Sequence, residues 1–371
     1  MNSANEFGRL YDRVCALQEA GFAQPAALAT ITRTSGSTFR HAGASMLVLA
    51  HGEVVCELSG GCPQRDIVER TRRVLASNEP ELASYNRNSG LDVLIEMGCG
   101  GELEVLIEPL ASQRDVQFLH MLAQLQATRE DALMATAFAR GGAVLTPRPQ
   151  RMVRAQRTVW SDIAGSHASQ EAVAAALAGA CEPASVRRID GDVELLVERL
   201  QPAQLLILVG VNAVSRALAD LAAALGWKSI VVDNAASAAR SAPTQSGLLA
   251  AAPHELCTRV PLDARCAAVV LTFNIEQDLA YLGALAKLPL AYLGAIGSRE
   301  RSARMCAAAD ALGASLWAPA GLDIGAENPQ EIAVAIVAEI LAQRNHRTGT
   351  SLSAQSSERA GERALERGSA A

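Results

Sequence analysis

The chain is poor in rings. Phenylalanine, tryptophan and tyrosine make up 4% of its 371 residues, too few for the aromatic platform on which a single-strand binder stacks bases. A positive surplus is also missing: 39 acidic residues face 33 basic ones, for a formal charge of −6. A general nucleic-acid binder needs the opposite balance. No apolar run approaches the ~20 residues of a membrane span. Met1 to Leu10 carries Glu6 and Arg9 and has no apolar signal-peptide core, which predicts a cytoplasmic address. Eight cysteines stand at positions 15, 56, 62, 99, 181, 257, 266 and 306, and none makes a Cys-x-x-Cys pair. That sets aside zinc ribbons and thioredoxin-type redox centres. In a reducing compartment these residues are expected as thiols, most of them filling small apolar holes.

What is present is enough apolar sequence, half of all residues, for more than one core. The patterning predicts an α/β protein: an amino-terminal mixed α+β domain followed by a Rossmann-like, doubly wound parallel sheet. The first domain spans residues 1–110. It reads as a helix over Phe7–Gln18 with Leu10, Val14 and Leu17 on one face, and a strand over Ala26–Thr34. A hairpin of Ser45–Leu49 with Glu53–Leu58, a helix over Pro63–Ala76 and a strand over Leu103–Ile107 ended by Pro109 follow. Residues 111–203 form an intervening region with a helix over Val116–Gln126, strands at Ala132–Phe138 and Val193–Glu198, and no evident chemistry. Residues 204–344 alternate strand and helix, beginning with the continuous apolar run Leu205–Val209 of a strand buried on both faces. The last helix is announced by Asn328 as cap, Pro329 in the first turn and Glu331 at capping-box spacing. Residues 345–371 read as a disordered polar tail.

The sharpest local feature is Ser59-Gly60-Gly61-Cys62-Pro63. With Pro63 in the first helical position, Cys62 falls at the N-cap. Unpaired N–H groups and the positive end of the helix dipole there favour the thiolate. The glycine pair lets a ligand approach the backbone, and free N–H groups suit a phosphate. The same residues also describe a tight structural turn with a buried thiol. Gly98-Cys99-Gly100-Gly101 is a second glycine-flanked cysteine, and Cys99 is a further candidate ligand. Gly36-Ser37-Thr38-Phe39-Arg40 follows a strand, and Arg40 has the bidentate geometry for phosphate; a plain polar loop is the alternative. Where the parallel sheet begins, Gly210-Val211-Asn212-Ala213 keeps one glycine of a dinucleotide fingerprint. Asp233, 23 positions after Gly210, sits where a ribose-binding acid is usual. Gly210, Asn212 and Asp233 are thus nucleotide-binding candidates. Ile296-Gly297-Ser298-Arg299 opens a helix with Ser298 as cap, and Gly321-Leu322-Asp323-Ile324-Gly325-Ala326-Glu327 precedes the final helix.

These motifs, with Gly43-Ala44-Ser45-Met46 and Glu104-Val105-Leu106-Ile107-Glu108-Pro109, run in order over about 25–344. In this they resemble the XdhC/CoxI family of molybdenum-hydroxylase accessory proteins. The resemblance implies a chaperone that binds and protects the molybdenum cofactor (molybdopterin or its cytosine dinucleotide form) and delivers it to a molybdenum hydroxylase apoenzyme of the xanthine dehydrogenase or CO dehydrogenase type. It further implies a homodimer, and contact with a cysteine desulfurase or a cofactor cytidylyltransferase. Cys62 matches the family cysteine associated with the cofactor and would be the ligand to its metal, with Ser59, Gly60 and Gly61 around it. Departures stand beside the matches. Gly210-Val211-Asn212-Ala213 replaces Gly-Ala-Gly-His, Thr272-Phe273-Asn274-Ile275 replaces Thr-His-Asp-His, and Gln64 stands where an acidic residue is usual. The expectation is an accessory protein without turnover of its own. Two rivals remain: an NAD(P)-dependent oxidoreductase built on the second domain, and a protein-binding scaffold indifferent to Cys62.

Overall fold

The structure, a computed structural model, describes residues 4–59, 61–86, 101–165, 168–180, 182–234, 248–260 and 262–353. The chain divides into two compact units, Met1–Ala203 and Gln204–Ala371.

The first unit holds two antiparallel sheets. One runs in the order β3 (Val54–Val55), β2 (Ser45–Leu49), β1 (Ala26–Ser35), β5 (Glu102–Leu110), β4 (Glu81–Tyr85). The other runs β10 (Ala184–Ile189), β11 (Val193–Leu200), β6 (Ala132–Arg140), β8 (Gln150–Ala155), β9 (Val159–Ser161), with β7 (Ala143–Val144) also paired to β6. The first four residues of β1, Ala26–Ala29, are apolar on both faces, and strand periodicity sends alternate side chains to opposite layers. Ala27, Ala29 and Ile31 pack with Ile67 and Val74 of helix α2 (Gly61–Ser77). Ala26 and Leu28 turn the other way. They join Leu10, Val14 and Leu17 of α1 (Ala4–Glu19) and Leu119 and Leu122 of α3 (Gln113–Thr128). Helix α4 (Gln170–Ala178) covers the second sheet through Val173 and Leu177.

Between these layers the core is partly polar. Thr30, Ser45, Thr136, Arg151 and Glu198 share the lining of a cavity of about 30 Å3 with Phe7, Leu10 and other apolar residues, room enough for a buried water. Arg151 pairs with the buried Glu108 and lies 3.9 Å over the Phe118 ring. Burial pushes the Glu108 carboxyl up against the opposing pull of Arg151.

Three expectations shift in this unit. Pro109 does not end β5, which continues to Leu110. Strand β4 pairs no further than Glu81 opposite Ile107, so the missing N–H of Pro109 falls where β5 has one neighbour only. Strand β3 is two residues long, because Cys56 adopts a left-handed φ of 65° and leaves the ladder. Helix α2 starts at Gly61, which puts Cys62 inside the first turn rather than at the N-cap. Proline is tolerated throughout that turn, since its N–H groups have no intrahelical acceptor.

The second unit is a five-stranded parallel sheet in the order β14 (Leu248–Ala250), β13 (Lys228–Asp233), β12 (Leu205–Val209), β15 (Cys266–Val270), β16 (Tyr292–Ala295). Helices α5 (Ala213–Ala224) and α8 (Pro329–Arg344) cover one face, and α6 (Ile275–Leu285) and α7 (Arg299–Ala311) the other. This is the doubly wound arrangement, with its topological switch point between β12 and β15. Asn328 caps α8 as expected, its side chain accepting from the Glu331 N–H at 3.0 Å. The Glu331 carboxylate reaches back over the helix start and accepts from the Glu327 N–H at 2.9 Å. Among the described residues no helix is long and apolar enough to cross a membrane.

Candidate functional site

The register of the first sheet brings the glycine-rich motifs to one edge. Ser35 at the end of β1 lies opposite Glu102 at the start of β5, and Tyr85 at the end of β4 lies opposite Leu103. Val55 at the end of β3 lies opposite Leu47 near the start of β2. The 36–44 loop, the segment from Cys56 into α2, and the chain on both sides of residues 87–100 therefore all leave the same end of the sheet. Gly60, Cys99 and the side chain of Cys62 lie outside the described residues.

Contacts hold these segments in register. A Cβ on Gly101 would stand 2.1 Å from the Ser37 carbonyl oxygen and 2.7 Å from Cγ2 of Thr38, so only glycine lets β5 start under that loop. The Thr38 hydroxyl donates to the Arg40 carbonyl at 2.8 Å. Arg40 reaches the Glu6 carboxylate with both terminal nitrogens, at 2.5 and 2.9 Å, and lies 3.4 Å from the Glu57 carbonyl. The guanidinium assigned to phosphate thus ties the 36–40 loop to the strand exit leading to Ser59, with a carboxylate as its partner. The Ser59 N–H points to Oε1 of Gln64 at 3.4 Å, and Nε2 of Gln64 lies 2.9 Å from the Met46 sulfur. Gln64 therefore braces the turn at the place of the missing acid.

Helix α2 is anchored by its second and third turns. Arg70 bonds Asp66 at 2.5 Å and also pairs with Glu81, and the buried Tyr85 hydroxyl donates to Asp66 at 2.7 Å. Burial works to raise the Asp66 carboxyl, but the bonds from Arg70 and Tyr85 outweigh it and hold it below the usual range. Cys56 stands nearby, at the exit from β3. Burial pushes its thiol up, Glu6 adds to the shift, and Arg9 and Arg40 oppose it. Its sulfur lies 3.5 Å from the Glu6 carbonyl.

In the second unit the predicted nucleotide residues do sit at the carboxyl ends of β12 and β13. Gly210 has φ 112°, and a Cβ there would stand 3.0 Å from the Leu271 carbonyl oxygen and the Thr272 backbone. Asn212 occupies the position at which a dinucleotide fingerprint wants a second glycine. Its side chain accepts from the Ser215 N–H at 2.9 Å and donates across to the Leu271 carbonyl at 2.7 Å. The Ser215 hydroxyl in turn accepts from the Asn212 N–H at 2.9 Å. Asp233 is buried, with Oδ1 2.7 Å from the Asn234 N–H. Two N–H donors at this turn, those of Asn212 and Ser215, are taken by the chain's own side chains.

A cluster absent from the sequence reading lies beside them. Asp278, 0% exposed, accepts from the Thr272 hydroxyl at 2.6 Å and from Arg301 Nε at 2.8 Å. Arg301 also donates to the Thr272 carbonyl at 2.6 Å. Thr272 and Arg301 are 29 positions apart, and no spacing rule links such residues before the fold does. Ser298 caps α7 by accepting from the Arg301 N–H at 3.3 Å. In the 321–327 loop, the Gly321 N–H donates to the Glu339 carboxylate at 2.9 Å, while Asp323 and Glu327 are exposed. Among the described residues no three His, Cys, Asp or Glu side chains group as a metal site.

Comparison with known proteins bears on both units. Residues 206–340 match the XdhC Rossmann domain, and residues 22–86 match the XdhC and CoxI family. The chain is similar to a probable xanthine dehydrogenase subunit of Bacillus subtilis (strain 168), 28% identical over 325 residues that cover 86% of this chain and 94% of that protein. It is also similar to the uncharacterized protein YqeB of Escherichia coli (strain K12), 26% identical over 359 residues, 94% of this chain and 47% of that one. A crystal structure of a xanthine dehydrogenase from Bacillus halodurans shares the fold, with a TM-score of 0.71 at 22% identity, covering 91% of this chain and 98% of that one. Two matched domains, in the order and positions that the motifs occupy, place the chain in the XdhC and CoxI family.

Proposed function

We propose that this chain is a carrier of the molybdenum cofactor, which it holds at the glycine-rich edge of the first sheet and passes to a molybdenum hydroxylase apoenzyme of the xanthine dehydrogenase or CO dehydrogenase type. The observation that carries the reading is the convergence of the 36–44 loop, the 56–61 exit and Gly101 at one sheet end. The donor set suits the cargo. Backbone N–H groups of the first α2 turn and the Arg40 guanidinium are anion partners, and the Cys62 thiol supplies a soft ligand for a metal or its sulfur. The terminal pterin phosphate and the molybdenum thus each have a chemically matched partner in one short stretch. The cargo is the plain pterin or its cytosine dinucleotide. Transfer between a cofactor-modifying enzyme (a cysteine desulfurase or a cytidylyltransferase) and the hydroxylase, by a homodimer in the cytoplasm, completes the proposal.

The nicotinamide alternative has less behind it. Asn212 and Ser215 satisfy each other at the α5 start, and Asp233 is buried on a neighbouring N–H.

The test is cofactor content. Protein purified from cells with active cofactor synthesis is assayed for molybdenum and released pterin, as wild type and as Cys62→Ser. Loss of a ligand to the metal should lower the content at least about tenfold with the fold intact by circular dichroism. Unchanged content in folded Cys62→Ser overturns the role of Cys62. Apoenzyme capture that ignores both cofactor and Cys62 would leave only a scaffold.

A further inference from the structure

Arg40, a cation at the proposed cofactor edge, already holds an anion, and that anion belongs to the chain. Glu6, in the first turn of α1, presents its carboxylate to both terminal nitrogens of Arg40. This two-pronged geometry is the one in which a guanidinium also grips a phosphate. Water reaches the pair: the side chains are 22% and 24% exposed, against 6% and 5% for Arg151 and Glu108 in the same unit. A solute anion can reach the first pair and not the second.

Neither partner depends on the other for its place. Helix α1 stays docked through Phe7, Leu10, Val14 and Leu17, through the Tyr11 hydroxyl 2.7 Å from His120 Nδ1, and through Arg13 on Glu53 at 2.5 Å. Arg40 keeps its approach to the Glu57 carbonyl, and its loop keeps the Thr38 bond and the packing of Gly101 on Ser37. A rotation of the Glu6 side chain would therefore vacate the guanidinium without moving either backbone.

We propose that Glu6 is a built-in competitor for phosphate: its carboxylate occupies Arg40 until the phosphate end of the cargo displaces it. The identity of the cargo rests on the carrier reading; the exchange of carboxylate for phosphate on Arg40 does not. Such a competitor lowers affinity by the strength of one part-exposed ion pair, about fivefold. It makes release easier at hand-over, since Glu6 is on site to take the guanidinium back.

Two readouts test this. In the first, inorganic phosphate is titrated at constant ionic strength into 15N-labelled protein, following the Arg40 Nε–H signal assigned by its loss in Arg40→Gln. Glu6→Gln should lower the half-saturating phosphate concentration about fivefold. In the second, cofactor retained after extended dialysis should rise severalfold in Glu6→Gln, fall in Arg40→Gln, and be no higher in the double variant than in Arg40→Gln. An unchanged phosphate midpoint in Glu6→Gln overturns the proposal, and a lowered melting temperature with that unchanged midpoint identifies the pair as a mere strut. If wild type retains no cofactor while Glu6→Gln still sharpens phosphate binding, the carrier reading falls and the exchange stands.

Discussion

Each unit of the protein contains a strand that runs through glycine into a helix, and the two turns are finished in opposite ways. After β12, Gly210 is followed by Asn212, whose side chain caps α5 and bridges to the Leu271 carbonyl. Beside it, the buried Asp278 ties Thr272 to Arg301. At the glycine-rich edge of the first unit, where we place the cofactor by proposal, the sequence offers two adjacent glycines, 60 and 61, with no side chain able to do what Asn212 does. That edge is shaped by backbone packing, Gly101 on Ser37, and its cation is held by a carboxylate that water can reach. The same punctuation in sequence thus yields a turn sealed by its own polar groups and a turn supplied with exchangeable ones. The residue types flanking the glycines decide which.

Substitutions can break or sharpen this contrast. The largest effect belongs to Asp278→Ala, which strands Arg301 beside a buried site and should cost about 3 kcal/mol in urea unfolding. Because the cluster is a structural seal, cofactor content per folded molecule should not change, and a selective loss of content would erase the distinction between the two turns. Gly101→Ala comes next. Its Cβ would collide with the Ser37 carbonyl, costing roughly 1–3 kcal/mol, and cofactor retention should fall with it. Gly210→Ala meets backbone at 3.0 Å and a φ of 112°, so it should cost a similar ~1–3 kcal/mol while leaving retention alone. A smaller effect is expected for Asn212→Gly, about 1 kcal/mol from the lost bond to Leu271 and the weaker cap. Calorimetry should show no saturable NAD(P) binding to the wild type, and tight binding would show that the second turn is not sealed.

The smallest effect is on pH dependence. Asp66 titrates below its unfolded value in the folded chain, because Arg70 and Tyr85 outweigh burial. The stability it adds is complete above the unfolded pKa and is lost as pH falls through the folded one. Asp66→Asn should therefore flatten the acid limb of a stability–pH curve, and an unaltered limb would show that α2 is anchored by other means.

Legibility in the sequence followed the range of the interactions. Leu205–Val209 announced a buried strand because burial on both faces writes itself as consecutive apolar residues. Asn328 and Ser298 announced helix starts because a cap and its N–H lie three residues apart. Strand β8 was hidden because Gln150-Arg151-Met152 looks like surface. Arg151 is buried only because Glu108, 43 positions away, meets it. Strand β4, an edge strand beginning at Glu81 and held to α2 by Arg70, was hidden for the same reason. At the candidate site Arg40 could be read as a cation for phosphate, whereas nothing in the spacing pointed to Glu6 as its partner 34 residues away. Gln64, noted as a departure from the family pattern, gains a reason from the Ser59 N–H and the Met46 sulfur that it faces.

The edge of the parallel sheet has a consequence for assembly. Beyond β16, Trp317 bridges Gly294: its N–H donates to the Leu293 carbonyl at 2.9 Å, and its carbonyl accepts from the Ala295 N–H at 2.9 Å. The Ala320 N–H then takes the Ala295 carbonyl at 2.9 Å, and the Trp317 ring stacks on Tyr292 with centroids 6.3 Å apart. A border whose backbone groups are already claimed offers no template for a foreign strand. Any continuous sheet shared between two molecules would have to be built from some other rim.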